Sequence, residues 1–568
     1  MKFWHRKRRV HEIAPDEIFL DSSNLPAHES SQFEGRVAKL LSRRSILAAG
    51  IIFGLVVIVF TGRAFSLQVV QGAALADISR KNTLDRSLVF ATRGVIYDRI
   101  GRELAWNETA NGTEATSTEL FALRKYSLLP GLSHLLGFIQ YPKADSSGVW
   151  WREDYTPVSG VELSFDDVLG GHNGSTMVET DARGVVERRD IVVPTNNGEP
   201  LSISIDAAVQ SKLYSLLAAH AKKQGFVGGA AVIMSVETGQ VLAITSFPEY
   251  DNQAFTDGSS SVIRTQTNDA STPLLDRAVS GLYVPGSIVK PIFAVAALRE
   301  GIITPEKQII STGAISIPNP YDPSHPSLFR DWAVHGPVDM RTALAVSSDE
   351  YFYTIGGGYG GQEGLGIARI DEYAQKFGLG SETSIALPGE QSGVIPTPAW
   401  KIATFGPDDP WRIGDTYHTV IGQYGFLVTP IQAVRYTAAI ANGGKLLTPQ
   451  LLASSTPSFS QINIPDAELQ IVREGMRLAV TSNRFDATVK FLNIPDIKLA
   501  AKTGTAEIGA HNEWMNSWSV GFWPADHPVY AYAVVLERAP AGTLSGAAPA
   551  MLPFFQWLAA EHPEYVSF

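Results

Sequence analysis

Residues 46–60 run Ile-Leu-Ala-Ala-Gly-Ile-Ile-Phe-Gly-Leu-Val-Val-Ile-Val-Phe without a charge, bounded by Arg43-Arg44 on one side and Arg63 on the other. A segment of this kind has few stable homes. As a helix of about 17 residues it rises roughly 25 Å, a little short of a ~30 Å hydrocarbon core. Arg63 can snorkel and residues 64–70 continue amphipathically, so the span closes. A cleaved signal peptide needs a small-x-small site directly after the apolar run, but Ala74-Leu75-Ala76 lies well past Arg63. A buried core helix of this length is the remaining competitor. We read an uncleaved single-pass anchor; no second run of comparable length occurs. Residues 1–44 carry nine Lys/Arg against six Asp/Glu, including Arg6-Lys7-Arg8-Arg9. The positive-inside rule puts that tail in the cytoplasm and everything after Arg63 outside.

The outer part is large. A chain of 568 residues suggests three or four units. With 45% apolar and 18% charged residues it has ample core material, and global disorder is excluded. The formal charge of −11 argues against a basic nucleic-acid footprint. There is no cysteine, which excludes thiol nucleophiles, disulfides and zinc–thiolate sites. The twelve His show no metal spacing such as His-Glu-x-x-His.

Residues 67–196 mix short alternating stretches (94–97) with Gly/Asn/Ser turns, up to a break at Asn196-Asn197-Gly198. From 199 the pattern becomes denser. It predicts a strand at 201–205, a helix at 207–222 and a hairpin of strands at 229–234 and 239–246. Helices and strands then interleave to Val566, with no internal repeat of 20–50 residues. The sequons at Asn107 and Asn111 read as chance.

With thiols excluded, an activated hydroxyl is the nucleophile to seek. Pro285-Gly286-Ser287-Ile288-Val289-Lys290-Pro291 precedes the apolar run 292–298 and suits a helix start. Residues i and i+3 share a helix face, so the Lys290 amine is expected to reach the Ser287 hydroxyl. A lysine works as a general base only when its pKa falls well below about 10.4, and a helix N-terminus adds positive field where an oxyanion forms. Lys290 is the one lysine with serine three residues before it. The second element is Lys502-Thr503-Gly504-Thr505, the one Lys-Thr-Gly in the chain. On an edge strand it offers a cation and a hydroxyl to a carboxylate, with Gly allowing close backbone approach. Alone, each reads equally well as a helix cap or a strand end.

Together, Ser287-x-x-Lys290 followed by Lys502-Thr503-Gly504 resembles the penicillin-binding protein and serine β-lactamase superfamily. Its third motif, Ser-x-Asn, has three candidates. Ser22-Ser23-Asn24 lies on the cytoplasmic side, and Ser482-Asn483 has the wrong spacing. Ser347-Ser348-Asp349 lies sixty residues after Ser287 in a helix-like stretch, 343–353. Its closing Asp resembles the elongation-type, penicillin-binding protein 2 branch. The run from Arg93-Gly94-Val95-Ile96-Tyr97-Asp98 to Ala105 is similar to the pedestal signature of class B members, with Ile100 where Asn is usual. Phe377-Gly378-Leu379-Gly380, Leu387-Pro388-Gly389-Glu390 and Thr429-Pro430-Ile431-Gln432 match the transpeptidase domain; Ile421-Gly422-Gln423-Tyr424-Gly425 departs from the usual Ile-Gly-Gln-Gly at Tyr424.

The resemblance implies an α+β chain: cytoplasmic tail 1–44, anchor 45–66, elongated mixed pedestal 67–196, and transpeptidase domain 197–568 with an antiparallel sheet packed between helices, as in serine β-lactamases. It implies D,D-transpeptidation of peptidoglycan stem peptides without cofactor or metal, in the bacterial inner membrane, during elongation. Ser287 attacks, Lys290 takes its proton, and Ser347 shuttles one to the leaving D-Ala. Lys502, Thr503 and Thr505 hold the substrate carboxylate beside Gly504. Backbone N–H groups of Ser287 and Thr505 form the oxyanion hole. Lys502 and Lys290 repel as like charges, favouring a free base, while Asp349 opposes this or pairs mainly with Lys502. Implied partners are β-lactams, a SEDS-family membrane glycosyltransferase and other elongation-complex membrane proteins, with no nucleic acid. The alternatives are a division-type septal transpeptidase, a carboxypeptidase or β-lactamase, and a non-catalytic β-lactam receptor or scaffold. Residues 356–361 (Gly-Gly-Gly-Tyr-Gly-Gly) read as a connection, and Trp514, Trp518 and Trp523 as core or cleft wall rather than carbohydrate platform.

Overall fold

The computed structural model describes residues 42–76, 84–108, 121–180, 186–319, 322 and 324–567. Most of the expected cytoplasmic tail, the Ser22-Ser23-Asn24 candidate and the sequon Asn111 lie outside them. The chain divides into two compact units, Met1–Asp85 with Val178–Arg189, and Arg86–Met177 with Asp190–Phe568.

In the first unit, helix α1 (Arg43–Phe65) starts at Ser42, whose hydroxyl accepts a hydrogen bond from Ser45 N, and runs on as a wider turn over Ser66–Val70. The helical stretch Arg43–Val70 is long and apolar enough to cross a membrane, and none of α1 is buried. At 28 residues it removes the shortfall of the bare apolar run.

The second unit begins with a small sheet. Strands β1 (Ile96–Tyr97), β2 (Glu103–Glu108) and β3 (Leu123–Tyr126) are antiparallel neighbours, and β4 (Leu201–Ser202) adds parallel to β1 through Leu201↔Ile96. Gly94 passes so close to Glu199 that a Cβ would lie 1.9 Å from its carbonyl oxygen, so only glycine fits. Arg93, Arg124 and Glu162 are buried under this sheet. Arg93 binds the Glu162 carboxylate and reaches Asp166 Oδ1 at 2.6 Å; Arg124 Nε meets Glu162 Oε1 at 2.8 Å. Asn107 donates to Arg93 O, so this sequon residue is structural.

The strand expected over 201–205 is shorter. Beyond Ser202 the chain makes one bridge, Ile203 to Leu452, and Ser204 Oγ donates to Val241 O at 2.7 Å. Asp206 then caps helix α2 (Ala207–Gln224), its carboxylate accepting from Ala208 N and Val209 N. A cap two residues ahead leaves no length for a longer strand.

The remainder supplies β5 (Gly228–Ser235), β6 (Val241–Phe247), α3 (Lys290–Arg299), α4 (Met340–Val346), α5 (Asp349–Gly357), α6 (Pro398–Phe405), α7 (Pro430–Ala441), α8 (Asp466–Thr481), β7 (Ala500–Ile508), β8 (Trp514–Trp523), β9 (Tyr530–Pro540) and α9 (Ala547–Glu561). The five strands form one antiparallel sheet, order β6-β5-β9-β8-β7. Alternation along each strand serves two cores. Ala230, Val232 and Met234 join α3 and α7, whereas Ala231 and Ile233 join α2 and α9. Burial on both faces explains why these strands read as continuous apolar runs. Trp518 and Trp523 are fully buried while Trp514 is partly exposed, so the first two are core.

Candidate active site

The nucleophile candidate sits in a tightly wedged turn. Gly286–Val289 forms a 3₁₀ turn that continues as α3, with Ser287 half-buried. Gly286 has φ +56°, and a Cβ there would lie 2.6 Å from Thr505 O on β7. A Cβ on Gly504 would meet Pro285 O at 2.6 Å, and one on Gly422 would meet Gly286 O at 2.2 Å. Gly286 N donates to Gly422 O (2.9 Å), and Trp518 Nε1 to Val284 O (3.0 Å). The turn is thus held between edge strand β7 and the loop at 421–425. As expected, Lys502-Thr503-Gly504 lies on an edge strand.

Ser347 closes α4 in the left-handed conformation (φ +59°), and Ser348 caps α5 by accepting from Tyr351 N. The continuous helix suggested by 343–353 is therefore two helices, because a left-handed residue cannot propagate a right-handed helix. The break turns Ser347 inward. Lys290 Nζ donates to Ser347 O (2.8 Å) and Asp349 Oδ1 (2.7 Å), stands 3.4 Å from Ser347 Oγ, and lies 5.3 Å from the Phe352 ring centroid. Lys502 Nζ donates to Ser347 Oγ (2.7 Å) and Thr503 O (2.9 Å). Both lysines are fully buried. Asp349 pairs with Lys290, not mainly with Lys502. Among the described residues Ser287 Oγ makes no hydrogen bond, so the direct contact with Lys290 expected from the i, i+3 spacing is not made. The charge-assisted bond to Asp349, together with Ser347 O, draws the ammonium away.

The electrostatics follow from burial. Desolvation, reinforced by the neighbouring Lys290 charge, pushes the Lys502 amine well below the ordinary lysine range. Burial likewise raises the Asp349 carboxyl, against the pull of Lys290. Lys502 has no carboxylate within ion-pair distance among the described residues.

Behind these groups lies a network the sequence reading missed. Asp331 Oδ2 accepts from Ser348 Oγ (2.7 Å) and Glu350 N (3.0 Å), which fixes the start of α5. His335 Nδ1 bonds Asp486 (2.8 Å), its Nε2 stands 3.4 Å from Asp331, and Arg484 pairs with Asp486. Burial opposes the charged Asp331, but His335 and Lys290 outweigh it and hold the carboxyl at about 2. Burial alone lowers His335, yet its two carboxylates more than reverse this and its pKa is raised. The four residues follow no short motif and meet across 155 positions, so nothing local announces them.

A cleft of 1040 Å³ opens over Ser287, Ser347, Asp349, Thr503, Gly504 and Thr505, with Trp332, Tyr353, Tyr424, Phe491 and Leu544 on its walls. Tyr424 adopts φ +61°, a conformation that favours glycine. Its ring packs against Trp400, Phe405 and Trp411, with Lys401 5.6 Å from the ring centroid. The departure from Ile-Gly-Gln-Gly thus keeps the glycine-like backbone, and the ring is held by its neighbours.

The chain resembles known proteins over most of its length. Residues 229–556 match the Penicillin binding protein transpeptidase domain. The chain is 28% identical to the peptidoglycan D,D-transpeptidase MrdA of Haemophilus influenzae, covering 93% of both chains. It is 32% identical to MrdA of Escherichia coli over 68% of this chain and 62% of that one. Among solved structures, Pseudomonas aeruginosa PBP2 in complex with WCK 5153 superimposes with a TM-score of 0.67 at 28% identity, over 84% of this chain and 100% of that chain. Helicobacter pylori PBP2, solved with MreC, shares the fold at a TM-score of 0.68 and 24% identity, over 84% and 100%. The chain belongs to the penicillin-binding protein transpeptidase family, as an elongation-type class B member.

Proposed function

We propose that Ser287, Lys290, Ser347, Asp349 and Lys502 carry out peptidoglycan D,D-transpeptidation in this chain through a serine acyl-enzyme. The observation that carries this reading is Ser347 Oγ, which lies 3.4 Å from one buried lysine amine and 2.7 Å from the other beneath a cleft that Ser287 lines. Ser287 Oγ attacks the carbonyl of the penultimate D-Ala and Lys290 accepts its proton. The C–N bond breaks, and the departing D-Ala nitrogen takes a proton relayed through Ser347. An amine of a second stem peptide then attacks the ester, forming the cross-link and returning a proton to Ser287. Thr503 and Thr505, with Lys502 beside Gly504, hold the terminal carboxylate. The Ser287 and Thr505 amides polarise the oxyanion, supported by the packing of Gly286 on Thr505. Asp349 positions the Lys290 amine through a charge-assisted bond of 2.7 Å.

We assign residues 1–44 as a cytoplasmic tail, 45–66 as the anchor, 67–196 as the pedestal and 197–568 as the transpeptidase domain outside the membrane; the basic tail supports this orientation. Glycan polymerisation falls to a separate SEDS-type glycosyltransferase in the elongation complex. Mass spectrometry after penicillin treatment tests the site: the adduct is expected on Ser287, and an adduct elsewhere overturns it. Cross-linked product from purified protein and stem peptides, lost in Ser287→Ala, separates an enzyme from a β-lactam receptor. Depletion is expected to give round cells; filaments overturn the elongation role.

A further inference from the structure

The cleft is lined by three carboxylates, Asp331, Asp349 and Glu507. Two are committed: Asp349 to Lys290, and Asp331 to Ser348, Glu350 and His335. Glu507 is exposed, and among the described residues its carboxylate has neither an ion-pair partner nor a hydrogen-bond donor. It stands on β7, where alternation puts Thr503, Thr505 and Glu507 on one face, all three lining the cleft. Glu507 therefore follows the carboxylate-holding threonines by one step of roughly 7 Å along the strand. Of the basic groups on the same walls, Arg330 also has no ion-pair partner among the described residues, and burial holds His418 below its ordinary value, hence uncharged at neutral pH.

We infer that Glu507 is the docking residue for the acceptor amine, a reading that rests on the transpeptidase assignment above. The leaving D-Ala vacates the Thr503–Thr505 end of the strand, and the acceptor enters the same space. It arrives as an ammonium, and the next side chain on that face is a free carboxylate. The ammonium sheds one proton to water, then its nitrogen attacks the acyl carbon of the Ser287 ester. The N–C bond forms and the C–Oγ bond breaks. The nitrogen's second proton passes to Lys290, whose ammonium returns one to Oγ. Glu507 concentrates and orients the cation; it takes no part in bond breaking.

The test uses the full chain in detergent, a donor peptide ending in D-Ala-D-Ala, and two acceptors, glycinamide (cationic) and methanol (neutral). The readout is the ratio of acceptor-captured to hydrolysed product from one acyl-enzyme, so effects on the donor step cancel. Glu507→Gln is expected to raise the glycinamide concentration for half-capture about three- to fivefold, and Glu507→Lys about tenfold, as for exposed charge pairs. Methanol capture stays the same, and salt narrows the gap between parent and variants. Identical glycinamide partition in parent and variants overturns the inference. So does an equal change with methanol, or an equal rise in Arg330→Gln, since either marks a general disturbance. A parent that forms no acyl-enzyme overturns the transpeptidase reading itself, and Glu507's role with it.

Discussion

Among the buried charges of the larger unit, two groups are built on opposite terms. Beneath the small sheet, Glu162 takes both Arg93 and Arg124, and Asp166 adds a second carboxylate to Arg93. Burial opposes the charged forms there, but the partners win: Arg93 is raised and Glu162 lowered. Around Ser347, two lysines share one hydroxyl, and among the described residues only Lys290 has a carboxylate. Lys502 is left to give up its proton. Where every buried charge has a fixed opposite, the cluster is architecture. A buried amine without one is held well below the ordinary lysine range, and that is a chemical resource.

The sharpest way to break this contrast is to remove a lysine. Lys502→Ala is expected to slow penicilloylation of Ser287 by about 10²–10⁴-fold while the melting temperature changes little, measured by stopped-flow with a fluorescent penicillin. A variant that melts early but acylates normally would put both clusters in the same class. Glu162→Gln should do the reverse. Breaking a fully buried pair is expected to cost about 3–5 kcal/mol in chemical denaturation, with the folded fraction acylating at the parent rate.

Asp349→Asn sharpens the comparison within the site. It removes the carboxylate that holds the Lys290 amine at 2.7 Å, so the acidic limb of the acylation profile should move. An unmoved limb would deny Asp349 any electrostatic part. The smallest effect is expected at His335, which is compensated like Arg93 but lies against the site. Its pKa is raised in the folded chain, so its stabilisation is complete below the unfolded value of about 6.5 and fades as pH climbs through the folded one. His335→Gln should remove that alkaline decline from a series of melting temperatures.

What could be read beforehand was local. Ser287 and Lys290 are three residues apart, Lys502 to Thr505 are contiguous, and the arginine-bounded apolar run is a single segment. Each signal sits within one turn or one strand, where spacing alone carries meaning. Ser347 was legible as a letter, but its left-handed turn was not. That conformation depends on Asp331 capping the next helix from a different part of the chain. The same holds for sheet order: β5 pairs with β9 about 300 positions away, a choice made by two-sided packing rather than by either strand's pattern. His335, Asp486 and Arg484 were invisible for that reason. The rotation of Lys290 toward Asp349 was missed because helix geometry gives reach, not preference.

The three glycines around the reactive turn bear on how this protein can change under antibiotic selection. Gly286, Gly422 and Gly504 each leave no space for even a methyl group against a neighbouring main chain. Substitutions there collide with backbone, which cannot swing aside, so the centre of the pocket offers few viable routes to drug escape. Variation that tells an antibiotic from a stem peptide is thereby confined to the rim, to positions such as Trp332, Tyr353, Phe491 and Leu544.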